Sequence, residues 1–259
     1  MSIFSVDVEE WHAPLSHRGI AISADQQRDL HPEIEKILAL LKEFKHGATF
    51  FILGSYARQH PKTVRLISES GFEIGSHYDE HVRIDGLSRD ELKNGVASGV
   101  STIEELIGSK VLGFRAPFFS WNDHLPDILK ELGLVYDSST LPGFSFLGGR
   151  RTRSRAPHRL DNGIIEVPVS TFMGFPISGI SYLKMLPFGL VCFLIPKDYV
   201  LYLHPRETCQ DLPRLNVSLK LRTLLYARQD RTLPLLRGLS GLRQFQSMEA
   251  SLRSSGFIS

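Results

Sequence analysis

The chain has 259 residues, 42% hydrophobic and 22% charged, which suits one well-buried core and excludes a disordered or low-complexity polymer. Its formal net charge of +2 is too small to imply a nucleic-acid partner, and two cysteines, Cys192 and Cys209, form no disulfide framework and are expected to be reduced. Met1-Ser2-Ile3-Phe4-Ser5-Val6 lacks the basic start of a signal peptide, so cytoplasmic residence is the default expectation.

Strand-like and helix-like segments alternate along the chain. Ile3–Val6 reads as a strand. Ile34, Ile37, Leu38 and Leu41 follow with helical spacing behind Pro32. Ala48–Leu53 is an apolar run of strand length. Pro61 opens a helix that stops at Gly71, and Phe72–Gly75 is the next strand. Ser88-Arg89-Asp90-Glu91 has the form of a capping box before a helix ending at Gly108. Val111–Phe114 is a strand, Asn122 is expected to cap a helix ending at Gly133, and Val135-Tyr136 is a short strand. The arginine-rich stretch from Gly148 to Arg159 predicts a solvated loop. Asp161-Asn162-Gly163 predicts a turn into Ile164–Val167. Phe188–Ile195 is too short to span a bilayer and reads as a buried helix. Tyr199–Leu203 is the last clear strand. From Arg214 the chain is amphipathic and basic, which suits a helical extension over residues 211–259 beside a main domain of residues 1–210. Weak contact between that basic segment and an anionic surface is an open expectation.

This alternation predicts an α/β fold with a parallel sheet and outer helices. Asp7, His77, Arg115, Asp137 and His204 each fall at or just past the end of a predicted strand. An open sheet uses only its switch-point crevice, whereas a closed barrel gathers functional groups along one whole rim. Five contributing strand ends therefore favour a (β/α) barrel. His77 and His81 stand four apart, and Asp7-Val8-Glu9-Glu10 supplies carboxylates. Two imidazoles and one carboxylate make a three-ligand site for a divalent cation with room for water. Glu9, Glu10 or Asp7 is available as the carboxylate.

In order, SVDVEEW, ATFFILG, EIGSHYDEH, GFRAPFF, VYDSS and LYLHP resemble the motifs of the polysaccharide deacetylase superfamily, carbohydrate esterase family four, across residues 3 to 207. The SVDVEEW, SYLKMLP and YLHPRE forms are most similar to the subgroup of exopolysaccharide gene clusters. The resemblance implies a distorted, incomplete barrel of seven strands and metal-dependent removal of acetyl groups from sugars. It implies metal ligation by His77, His81 and Glu9. Asp7 becomes the catalytic base, Arg115 the residue orienting it, Phe118 the backbone donor to the oxyanion, and His204 the general acid. Asp137 matches a late aspartate motif only loosely, and the tryptophan usual beside it is missing. Zn²⁺ is the expected ion, with Co²⁺, Ni²⁺, Mn²⁺ or Fe²⁺ as substitutes. Trp11, Pro117, Phe119, Trp121 and Asp137 are candidates for lining a carbohydrate pocket.

The expected reaction is hydrolysis of an N-acetyl group on an amino sugar in a polysaccharide or lipid-linked saccharide. Three rivals keep the ligand set: a hydrolase of a small amide, formamide or ureide; an iron oxygenase, which the strand–helix alternation disfavours; and an inactive sugar-binding homologue.

Overall fold

A computed structural model describes residues 2–16, 18–143, 151–152, 154–171 and 178–259. Its strands are β1 (Ser2–Val8), β2 (Thr49–Ile52), β3 (Glu73–Ser76), β4 (Gly113–Phe114), β5 (Tyr136–Asp137), β6 (Leu141–Pro142), β7 (Arg151–Thr152), β8 (His158–Arg159), β9 (Ile165–Glu166), β10 (Val200–Leu203) and β11 (Phe245–Gln246). The first half contributes helices α1 (Ala13–Ser16), α2 (His31–Glu43), α3 (Gly54–Gln59), α4 (Pro61–Glu69) and α5 (Arg89–Ile107). The second half adds α6 (Leu125–Glu131), α7 (Ile180–Leu183), α8 (Phe188–Leu194), α9 (Leu219–Tyr226), α10 (Thr232–Leu242) and α11 (Met248–Ser254).

The main sheet has the order β10-β1-β2-β3-β4-β5-β9-β8. Its first seven strands are parallel, and β8 closes the far edge antiparallel to β9. Every residue of β1 is buried, as a central parallel strand with both faces covered requires. The sheet curls into an incomplete barrel: among the described residues β9 and β10 do not pair. Val200 N–H instead donates to Ser170 Oγ, and Tyr202 N–H donates to the Ser178 carbonyl. β11 pairs with Ser2 and Ile3, ahead of the point where β2 begins to pair at Ser5.

Local signals account for most elements. Ile34, Ile37, Leu38 and Leu41 turn the apolar side of α2 inward. Ser88 and Glu91 make the reciprocal cap of α5, and Gly108 ends that helix in the left-handed conformation. Three expectations need correction. α6 starts at Leu125, because Asn122 instead donates to the Ile84 and Leu87 carbonyls and accepts from His124 N–H. Of the expected loop from Gly148 to Arg159, residues 148–150 and 153 lie outside the described residues, while 151–152 and 158–159 form β7 and β8. Phe188–Leu194 is helical, but Val191 alone of α8 is buried. No helix among the described residues is long and apolar enough to cross a membrane.

Register places the site. Val6 pairs with Leu203, Ile52 with Ser76, and Ser76 with Phe114. Asp7, His77, Arg115 and His204 therefore leave neighbouring strands at one rim. The loop carrying His77 and His81 is pinned from two sides. Gly54 and Ser55 at the start of α3 donate to the carbonyls of Tyr78 and Asp79, and Arg58 pairs with Asp79 at 2.7 Å. On the other side, a Cβ on Gly95 would come within 2.1 Å of the Tyr78 ring, and one on Gly99 within 2.7 Å of its carbonyl oxygen. Glycine here lets α5 press directly against the loop.

Candidate metal and catalytic centre

Glu9, His77 and His81 bring one carboxylate oxygen and two ring nitrogens within 4.8 Å of one another. His77 Nδ1 lies 2.7 Å from the Arg115 carbonyl, an acceptor, so that nitrogen carries the proton and Nε2 presents its lone pair to the site. Burial pushes His77 down to about 4, opposed by the charges of Asp7 and Glu9, so the ring is neutral at pH 7. Glu9 is 2% exposed. Its Oε1 pairs with Arg206, while Oε2 lies 2.7 Å from His81 Nε2 and 4.0 Å from His77 Nε2. Burial pushes the Glu9 carboxyl up, but the charges of His81, Arg206 and His204 outweigh it and hold the group well below the usual carboxylate range.

These donors fit a divalent cation. Oε2 of Glu9 is buried and accepts no well-aligned hydrogen bond among the described residues. A buried ionised carboxylate oxygen needs a counter-charge, and a divalent cation held between it and the ring nitrogens of His77 and His81 would supply one. Glu10 is directed elsewhere, with Oε1 2.8 Å from His60 Nε2. Asp7 is directed to arginine: Arg115 Nη1 donates to Asp7 Oδ1 at 2.6 Å. Arg115 is fully buried and held by Ser5 Oγ, the Ser138 carbonyl and Ser138 Oγ, with its guanidinium 4.4 Å from the Phe51 ring centroid. This fixes Asp7 while leaving Oδ2 toward His204, whose Nε2 is 3.9 Å away. His204 Nε2 is also 3.7 Å from Glu9 Oε1.

Phe118 and Phe119 have φ of 58° and 52°. Two successive bulky residues in this sparsely populated region store strain on the order of 1–3 kcal/mol each, which surrounding contacts must offset. The Phe118 ring lies 4.3 Å from the His81 ring, and Phe119 packs 5.2 Å from Tyr202. The turn is thereby tied to both a candidate ligand and β10.

The remaining pocket candidates divide. Pro117 is buried in the same turn as Phe118, and Trp121 is half-buried with Nε1 donating to Asp123. Trp11 corrects the expectation of a sugar platform: it is fully buried among Leu30, Cys209 and Leu212, with Nε1 donating to the Gln26 carbonyl, so no ring face is open. Asp137 is enclosed as well. It accepts from Ser139 and faces Glu166 across the β5–β9 ladder, and burial pushes its carboxyl above the usual carboxylate range.

Two residues beside His204 went unassigned in the sequence reading. Arg206 is the buried counter-charge of Glu9. Glu207 Oε2 accepts from His204 N–H at 2.9 Å and lies 3.7 Å from His204 Nδ1, while its Oε1 accepts from Ser181. Burial pushes Glu207 up, but the hydrogen bond to His204 and the charges of His204, Lys184 and Arg206 outweigh it, leaving about 2. The available signal was adjacency: both follow the histidine directly in His204-Pro205-Arg206-Glu207.

Residues 14–136 match the family profile of polysaccharide deacetylases, and residues 138–253 match a domain of unknown function, DUF3473. The first match contains His77, His81, Arg115 and Phe118; Asp7 and Glu9 precede it, and His204 lies in the second. The chain is 31% identical over 123 residues to a peptidoglycan-N-acetylglucosamine deacetylase of Bacillus cereus, covering 48% of this chain and 57% of that protein. It is 27% identical over 106 residues to a chitooligosaccharide deacetylase of Azorhizobium caulinodans, covering 40% and 50%. The chain thus spans about half the length of these curated relatives. Among solved structures, a Mycobacterium smegmatis protein assigned as a polysaccharide deacetylase superposes with a TM-score of 0.66 at 20% identity, over 98% of this chain and 90% of that one. The PuuE allantoinase gives 0.63 at 17% identity, over 97% and 88%. A carbohydrate esterase family four pseudoenzyme from Bacillus anthracis gives 0.56 at 14%, over 96% and 64%. These likenesses show a shared incomplete-barrel fold, and the profile match assigns residues 14–136 as a polysaccharide deacetylase domain.

Proposed function

We propose that this protein is a metal-dependent hydrolase that removes N-acetyl groups from an amino sugar in a polysaccharide or lipid-linked saccharide. One observation carries the reading: Glu9, His77 and His81 converge beside the Asp7–Arg115 pair and His204. The named activities of the Bacillus and Azorhizobium relatives support the substrate class. In this reading residues 1–210 form the catalytic unit, and 211–259 a largely helical extension that joins the main sheet through β11. Cys192 and Cys209 are free thiols.

Glu9 Oε2, His77 Nε2 and His81 Nε2 would hold the ion, with Zn²⁺ the first choice for two imidazoles and one carboxylate. Such an ion supplies Lewis acidity and lowers the pKa of bound water from 15.7 to about 7. Asp7, oriented through Oδ1 by Arg115, takes the water proton on Oδ2. Phe118 N–H, in its left-handed turn beside His81, donates to the oxygen on which negative charge develops. His204 hands a proton to the departing nitrogen. Glu207 holds the His204 backbone and ring in place, and Arg206 keeps Glu9 Oε1 occupied, so that Oε2 is the ligating oxygen.

The allantoinase likeness favours one other reading, hydrolysis of a small amide or ureide on the same fold. Assay of the purified protein on N-acetylglucosamine oligomers and on small amides separates the two. Acetate released from oligomers is the expected result. Formate or ammonia released from small amides alone would replace this proposal with the other.

A further inference from the structure

We propose that the face formed by α7, α8 and the basic residues flanking both ends of α10 docks on an anionic lipid surface. Eight large hydrophobic residues are exposed among the described residues, and five of them, Tyr182, Met185, Phe188, Leu190 and Phe193, fall within one segment of α7–α8. Phe193 is 84% exposed. Scattered single apolar residues are ordinary on a surface, but a contiguous group that includes two phenylalanines marks a contact site. α8 is fixed in this position, not frayed: Val191 is buried in the main core, and the Phe188 ring sits where a Cβ on Gly238 of α10 would lie.

The charge around this patch selects its partner. From Arg214 to Arg243 the chain has seven basic residues and one acid, Asp230. Several basic groups border the apolar segment directly. Arg228 donates to the Met185 carbonyl, Arg231 lines a depression with Phe188, and Arg243 donates to the Ile195 carbonyl beside exposed Lys197. Exposed Leu242 extends the apolar surface next to Arg243. Apolar side chains ringed by arginine and lysine match an interface of acyl chains beneath anionic headgroups. A second copy of this chain would set the same basic ring against itself.

The patch also begins at the catalytic rim. Ser181, in α7, donates to Glu207, which holds His204, and Tyr182 follows it. A saccharide carried on a membrane lipid would thus meet the rim from the docked side. That last step rests on the proposed deacetylation; the docking itself does not.

The test is flotation of the full chain with phosphatidylcholine vesicles containing about 30% phosphatidylglycerol, with pure phosphatidylcholine vesicles as the comparison. The wild type should float with the anionic vesicles, less with the neutral ones, and less at high salt. Leu190→Asp combined with Phe193→Asp should lower the bound fraction by about tenfold or more, and Arg231→Glu should lower it on anionic vesicles alone. Thermal melts of the variants, unchanged from the wild type, exclude misfolding as the cause. Absence of flotation by the wild type, or equal flotation by all forms, overturns the proposal. So does a wild-type dimer in sedimentation that Leu190→Asp with Phe193→Asp converts to a monomer without any vesicle binding. Turnover on soluble oligomers is independent of every one of these outcomes, so loss of the docking face and loss of the enzymatic reading are distinguishable.

Discussion

Asp7→Asn is expected to lower amide turnover by about 10²–10⁴-fold, the usual contribution of a general base, while the protein stays folded and loaded with metal. The amide side chain keeps the shape, and its oxygen still accepts from Arg115 Nη1. Arg115 also retains Ser5 and the two Ser138 contacts, so the buried guanidinium remains bonded. What disappears is the negative charge and a basic oxygen beside His204. Some stability should be lost too, because a fully buried arginine loses its counter-ion. The measurement is acetate release by the variant together with its metal content. If Asp7→Asn loses metal and Glu9→Gln keeps it, Asp7 is a ligand and the assignment of the base is wrong.

His204→Ala should lose most amide hydrolysis, on the order of 10²–10⁴-fold, and much less hydrolysis of an activated phenyl acetate. An amine leaves only if it receives a proton, whereas a phenolate leaves without one. Metal content should not change, because His204 lies outside the Glu9–His77–His81 group. Equal losses on both substrates would make His204 a packing residue. Glu207→Gln should reproduce part of the same selectivity and also report on stability. The folded Glu207 lies at about 2 against an ordinary value of 4.5, so its contribution is fully present above pH 4.5 and is lost as pH falls toward 2. The stability gap between wild type and Glu207→Gln in urea titrations should therefore narrow across that window and stay constant above it.

What the sequence made legible is mostly what depends on neighbours in the chain. The capping box at Ser88, the stop at Gly108 and the buried run of β1 all rest on local pattern, and the parallel order follows from the alternation they mark. The histidine pair was visible because its members stand only four positions apart. Long-range pairs left no such trace. Arg206 meets Glu9 across 197 positions, and β11 reaches β1 from the far end of the chain. Trp11 and α8 show the limit of hydropathy: an aromatic beside a site motif turned inward, and an apolar run of helix length turned outward. Periodicity tells that a face is apolar and not what covers it.

In the proposed function, turnover depends on one metal centre formed by Glu9, His77 and His81. Metal analysis of the purified protein, before and after chelation and re-addition of zinc, tests it most directly when acetate release from an N-acetylglucosamine oligomer is followed in parallel. Purified protein should carry close to one divalent ion per chain, lose activity on chelation and regain it on zinc addition, while His77→Ala and His81→Ala should show neither metal nor recovery. Full activity in protein stripped of metal would contradict it.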